Sequence, residues 1–276
     1  MNEWPIGIST GLFYQKNFFD CIREIEGYGF SIIEISSSKT HLDYHSKQDV
    51  EKASKLIEKL QLEPYSFHAP FGPDIDITSS DHNRRQQAKH EIFSAIEAAA
   101  ILNAKNFVFH PGPEKAFEPP LEQRLQRMNN ATKMLDEIHN KCSQLGVNLL
   151  LENMLPHLFS GKTNEMLWII GSMQALQIGT CLDTGHAFLG NSLKQMIYKL
   201  SACLRLIHIS DNAGQGDDHI PPPQGHIDWP QFIADLKATN YNGVLMLELS
   251  PSQDRLDKEL KRACSARHYL RSIMKF

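Results

Sequence analysis

Seven side chains able to bind a metal or move a proton stand at the ends of short apolar runs: Glu34, His68, His110, Glu152, Asp183, His208 and Glu248. Taken singly, each reads as a polar residue at a solvated strand end. Taken together they pose an electrostatic problem, because carboxylates buried side by side without counter-charge are strongly destabilising. Bound cations remove that penalty. With Glu34 set aside, three imidazoles and three carboxylates offer the nitrogen and oxygen ligands of Zn, Mn, Fe or Mg, and the imidazoles favour Zn or Mn over Mg. Two nearby segments enlarge the set. His186 follows in Asp183-Thr184-Gly185-His186, and Asp217-Asp218-His219 supplies an Asp-x-His pair ahead of Pro221-Pro222-Pro223, which would hold the pair still.

Such residues act only if the fold makes them converge. Runs rich in β-branched and apolar residues predict strands at 6–10, 31–36, 65–69, 106–110, 147–153, 178–183, 204–210 and 243–249. Amphipathic stretches between and after them predict helices at 17–28, 49–60, 82–102, 121–145, 163–176, 192–200, 229–239 and 256–274. Gly146 sits where a helix should stop, and Asp228 stands ahead of Trp229-Pro230 where one should start. The strands are apolar nearly throughout, as in a parallel sheet covered by helices. Repeated strand-helix units of this number predict an α/β fold, a single (β/α)8 TIM barrel over 1–276, a length that suits the roughly 250 residues such a barrel needs. In a barrel the ends of different strands meet at one face. Period two places Asn148, Leu150 and Glu152 on one side of their strand, and turns Val108 and His110 inward while Phe107 and Phe109 face the helices.

Composition narrows the function classes. With 41% hydrophobic and 22% charged residues the chain has an ordinary globular balance. Its formal charge of −4, with no long basic run, gives nucleic-acid binding no support. No apolar stretch approaches the ~20 residues that span a bilayer. The start lacks a signal-peptide pattern, and five scattered cysteines without a C-x-x-C pair read as reduced thiols, so a cytoplasmic protein is expected.

The ordered motifs resemble a known group. His-Ala-Pro-Phe at 68–71, His-Pro-Gly at 110–112, Leu-Glu-Asn at 151–153, Leu-Asp-Thr-Gly-His at 182–186, His-Ile-Ser-Asp at 208–211, Asp-x-His-x-Pro-Pro at 217–222 and Ile-Asp-Trp at 227–229 are similar to those of the xylose-isomerase-like TIM barrels. That superfamily holds sugar-phosphate isomerases and epimerases together with endonuclease IV. In its single-metal isomerases and epimerases, the resemblance implies Glu152, Asp183, His208 and Glu248 as ligands, with the two glutamates moving a proton at a carbon beside a carbonyl. His186 and His219 would then bind substrate and Glu34 contact a hydroxyl. In endonuclease IV, nine ligands hold three zincs. Here they would be His68, His110 and Glu152; Glu152, Asp183, His208 and Glu248; and His186, Asp217 and His219. Either way a divalent metal is implied, Zn or Mn, one to three ions per chain.

Departures set the two readings apart. The DNA-cleaving enzymes carry a Gly-Gln-Gly type turn after the strand-five glutamate, whereas Glu152 is followed by Asn-Met-Leu-Pro-His; Pro223 replaces a usual glycine; and the 36–48 loop has no arginine wedge. The leading expectation is a metal-dependent isomerase or epimerase of a small sugar-like or phosphorylated molecule. The alternative is a polynuclear zinc hydrolase of a phosphoester or related bond, with a small substrate favoured over DNA. The oligomeric state stays open. Remaining candidates read blandly: His41, His45, His82, His90, His139, His157, His226 and His268 as surface histidines, and Cys181 as a core residue. Asp211 is either an acceptor for a histidine N–H or a turn residue, Asp218 is an alternative to Asp217, and Gln224-Gly225 could offer backbone N–H groups to a phosphate.

Overall fold

The apolar runs do form strands, and the strands close on themselves. The structure is a computed structural model that describes residues 4–115, 120–251 and 255–275. Its parallel strands are β1 (Ile6–Ser9), β2 (Ile32–Ser36), β3 (Glu63–His68), β4 (Asn106–Phe109), β5 (Asn148–Glu152), β6 (Gly179–Asp183), β7 (Leu204–Ile209) and β8 (Val244–Leu247). They pair in sequence order, and β8 returns to β1, completing the barrel. The helices around it among the described residues are α1 (Phe18–Gly27), α2 (Lys47–Lys59), α3 (His82–Ile101), α4 (Leu121–Gln144), α5 (Thr163–Ser172), α6 (Thr184–Leu189), α7 (Leu193–Leu200), α8 (Trp229–Lys237) and α9 (Leu256–Met274).

Local signals act where expected. Gly146 takes a left-handed φ of 74° just past α4, and the Asp228 carboxylate accepts from Gln231 N at the start of α8. The alternation also holds. Val108, Leu150, Cys181, Leu206, Val244 and Met246 pack together inside the barrel, while Phe107, Phe109, Leu149 and Leu151 join the larger core between strands and helices. On β1, a Cβ at Gly7 would lie 2.8 Å from Met246 Sδ, so glycine makes room there for a large interior side chain.

Three boundaries differ for identifiable reasons. Helix α5 stops at Ser172 rather than running to 176, because Asp136 on α4 captures the backbone N–H groups of Gln174 and Ala175. The short α6 was not expected; Asp183 starts it by accepting from His186 N at 2.7 Å. Glu248 lies just past β8 rather than within it, although its N–H still reaches Ile209 O at 3.1 Å. One histidine also departs from expectation. His41 is buried, with Nδ1 donating to Lys16 O at 2.7 Å and its ring edge-on to Phe18, so it is a core residue rather than a surface one.

Candidate active site

The strand ends bring the carboxylates and imidazoles of the sequence together at one face. Glu152, at the end of β5, is buried at the centre. Its Oε1 lies 3.1 Å from His208 Nδ1, and its Oε2 lies 3.3 Å from both His68 Nε2 and His110 Nε2. Glu248 Oε2 approaches the same His208 Nδ1 at 2.9 Å. On the other flank, Asp217 Oδ2 lies 3.3 Å from His186 Nε2 and 3.1 Å from His219 Nε2.

Four of the five imidazoles are oriented from behind by a hydrogen bond, and the fifth, His110, has only a carboxylate nearby. His68 Nδ1 donates to Ala69 O, His186 Nδ1 to Asn153 O and His219 Nδ1 to Glu248 O, at 3.0, 2.9 and 3.0 Å. Glu114 Oε1 stands 3.1 Å from His110 Nδ1, and Glu34 Oε2 3.0 Å from His208 Nε2. Carbonyl oxygens only accept, so the rings they hold carry the proton on Nδ1 and leave Nε2 for the centre. This is the arrangement that prepares histidines as metal ligands.

Asn153 joins two of these parts. Its side chain accepts from Asp183 N at 2.8 Å and donates to Asp183 O at 3.2 Å, while its own carbonyl holds His186. The sequence carried a hint of this in the Leu-Glu-Asn motif. Nothing local pointed to Glu114, nor to Ser66, whose hydroxyl donates to Glu34 Oε2 at 2.8 Å.

Without a cation, the imidazoles supply the counter-charge to the carboxylates by holding protons more tightly. Burial opposes charge on the imidazoles, yet the carboxylates around them prevail: His110 is pushed up to about 9 and His186 to about 10, with His68, His208 and His219 also raised. Burial likewise resists ionisation of Glu152 and Glu248, but His208 overrides it, holding Glu152 well below the usual carboxylate range and Glu248 at about 2. Asp183 goes the other way: burial pushes its carboxyl up to about 6, despite His186 and His219. The buried Asp183 Oδ2 has no hydrogen-bond partner, an arrangement that costs roughly 1–3 kcal/mol or more, and Glu152 Oε2 meets only the two imidazole nitrogens at a long 3.3 Å.

Those oxygens and prepared nitrogens fit a divalent cation. Ligand atoms of Glu152, Asp183, His208 and Glu248 lie within 4.8 Å of one another, as do those of His68, Glu152 and His208, and of Asp183, His186 and His219. The second and third groups differ from the expected ligand sets: His110 and Asp217 touch their clusters but stand outside these groups.

Beside the cluster opens a cavity of about 590 Å³, which Glu248, His68 and His219 line in part. Its remaining wall carries Ser9, Ser36, Ser37 and Ser250, with Tyr14 and Phe71, and no Lys or Arg among the described residues. Glu34, expected to contact a substrate hydroxyl, is fully buried beneath His208 and does not line this cavity.

The loop after β7 is built around Asp211. Its buried carboxylate accepts from Asn212 N, Gly225 N, Ile227 N and Trp229 Nε1, at 3.0, 2.9, 3.1 and 2.8 Å. Asp211 is therefore a loop organiser, not a histidine acceptor. Gly225 N–H is spent on it and Gln224 N–H on Pro221 O, so neither is available to a phosphate. Asp218 accepts from Ala213 N, which leaves Asp217 as the residue facing the histidines.

Known proteins share this framework. An uncharacterised protein of Methanocaldococcus jannaschii is 29% identical over 91% of this chain and 95% of its own. A probable endonuclease 4 of Aquifex aeolicus is 23% identical over 78% of this chain and 80% of its own. Among solved structures, a D-tagatose 3-epimerase-like protein superposes with a TM-score of 0.82 at 24% identity, covering 97% of this chain and 98% of that one. Over residues 22–271 the sequence matches a family description, and the chain belongs to the xylose isomerase-like TIM barrel family.

Proposed function

We propose that the chain is a divalent-metal-dependent isomerase or epimerase that moves a proton at a carbon beside the carbonyl of a small sugar-like substrate. The observation that carries this reading is the position of Glu248. It belongs to the four-residue group with Glu152, Asp183 and His208, and it also lines the hydroxyl-rich cavity. The similarity to a D-tagatose 3-epimerase-like protein supports the same class.

Glu152, Asp183, His208 and Glu248 would hold the cation, which when bound polarises the substrate's carbonyl and adjacent hydroxyl and stabilises negative charge on them. Glu248, ionised and at the cavity wall, takes the proton from the carbon. Glu152, almost wholly buried, is the second carboxylate through which a proton can be returned. The serine hydroxyls receive the polyol end of the substrate by hydrogen bonds, and Phe71 and Tyr14 cover its apolar face. Among the described residues a phosphate would meet no Lys or Arg on that wall, which favours an uncharged sugar.

A second reading rests on a different observation. Asp217 sits between His186 and His219, and His68 and His110 both face Glu152 Oε2. This is the donor set for further zinc ions and for hydrolysis of a phosphoester or related bond. Deuterium wash-in separates the two. With Mn²⁺ or Zn²⁺ and a panel of free ketoses in D₂O, a proton-transfer enzyme exchanges the carbon-bound hydrogen and Glu248→Gln does not. Phosphodiester cleavage without exchange on any ketose would overturn the first reading.

A further inference from the structure

His208 is held the opposite way round from its neighbours. His68, His110, His186 and His219 all turn Nε2 to the centre, whereas His208 turns Nδ1 inward, toward Glu152 and Glu248. What lies behind it also differs. Three of the others rest on backbone carbonyls and His110 faces the half-exposed Glu114; behind His208 is Glu34, fully buried on β2. A carboxylate placed there with its Oε1 unpartnered is costly to keep. Ser66, its neighbour in register on β3, donates to Oε2 and fixes the oxygen that meets the imidazole.

We infer that Glu34 is a positioning residue: by accepting the Nε2–H of His208 it selects the ring orientation and tautomer in which Nδ1 is the ligand atom. The inference rests on the proposed cation site at Glu152, Asp183, His208 and Glu248, but not on the reaction performed there. Orienting partners of this kind change metal affinity by about 10–100-fold when removed. An apolar residue at 34 leaves the ring free to turn over or to protonate Nδ1, and either removes the ligand.

The test uses the whole chain labelled with ¹⁵N in histidine and loaded with Zn²⁺. Long-range ¹H–¹⁵N correlations report which ring nitrogen carries the proton, and His208 is assigned by the signals lost in His208→Asn. The expected pattern is a protonated Nε2 and a metal-shifted Nδ1. The reverse pattern in the unmutated chain overturns the inference with no further variant needed. Zn²⁺ affinity, measured by competition with a chromogenic chelator, should fall about 10–100-fold in Glu34→Leu. Glu34→Gln, which keeps a carbonyl acceptor at the same place, should preserve the ring pattern and bind within a few-fold of the parent. Unchanged affinity in Glu34→Leu overturns the inference, as does a ring that turns over in Glu34→Gln. Zn²⁺ held by Nδ1 in a chain that exchanges no substrate hydrogen would overturn the proposed reaction and leave Glu34's role standing.

Discussion

Across the barrel mouth, β5 and β6 end in Glu152 and Asp183, β7 carries His208 one residue before its end and β8 is followed by Glu248, while β1, β2 and the segments just after β2 and β8 present Ser9, Ser36, Ser37 and Ser250 around an open cavity. The first half is over-determined. His208 faces a carboxylate at each ring nitrogen, Asp183 is tied down by Asn153 and by the start of α6, and Thr184 Oγ1 donates to the carbonyls of His208 and Ser210. The second half presents short hydroxyls that can rotate to suit a ligand. Under the proposed function, a site divided in this way would fix its chemistry with one set of strands and leave substrate choice to the other. Substitutions in the two halves should therefore fail differently.

The largest effect is expected at the boundary between them. Glu248→Gln should lower kcat by about 10²–10⁴-fold while the unfolding midpoint stays close to the parent's; a fully active variant would contradict both proposed reactions. Next comes the support of the half that carries the carboxylates and His208. At Gly225 an added Cβ would lie 2.3 Å from Asp211 Oδ1 and 2.5 Å from Asn212 O, so Gly225→Ala must displace the carboxylate that organises the loop. We expect a loss of about 2–4 kcal/mol in denaturant unfolding, and an unchanged midpoint would show that the loop yields easily. In the serine-lined half, Ser36→Ala removes one hydrogen-bonding group worth about 0.5–1.5 kcal/mol. It should raise KM a few-fold at nearly constant kcat; a loss confined to kcat would place Ser36 in the chemistry. The smallest effect belongs outside both halves. Asp228→Ala removes the cap of α8 and should cost about 1 kcal/mol of stability without altering kcat/KM.

The same division explains what could be read from the sequence. Strand interiors facing helices on one side and a packed barrel on the other must be apolar throughout, so the polar residue that ends each run stands out; Glu152, Asp183 and His208 were visible for that reason. Gly146 and Asp228 act within a few residues of themselves and were equally legible. Glu34 was visible as a residue but not as a partner of His208, because the two lie 174 positions apart and meet only when the barrel closes. Asp211 faced the same obstacle, gathering donors from as far as Trp229. Helix α6 has six residues, too few for a periodic pattern, and exists because Asp183 caps it. His41 carries no local mark of burial; packing against Phe18 decides it.

Elemental analysis of protein purified without chelator tests the central claim most directly. Close to one divalent cation per chain is expected, lost in Asp183→Asn and retained when His68 and His110 are replaced together by alanine. No bound cation, or one that survives Asp183→Asn, would contradict it; two or three equivalents of zinc that depend on His68, His110 and His186 would move the assignment to hydrolysis.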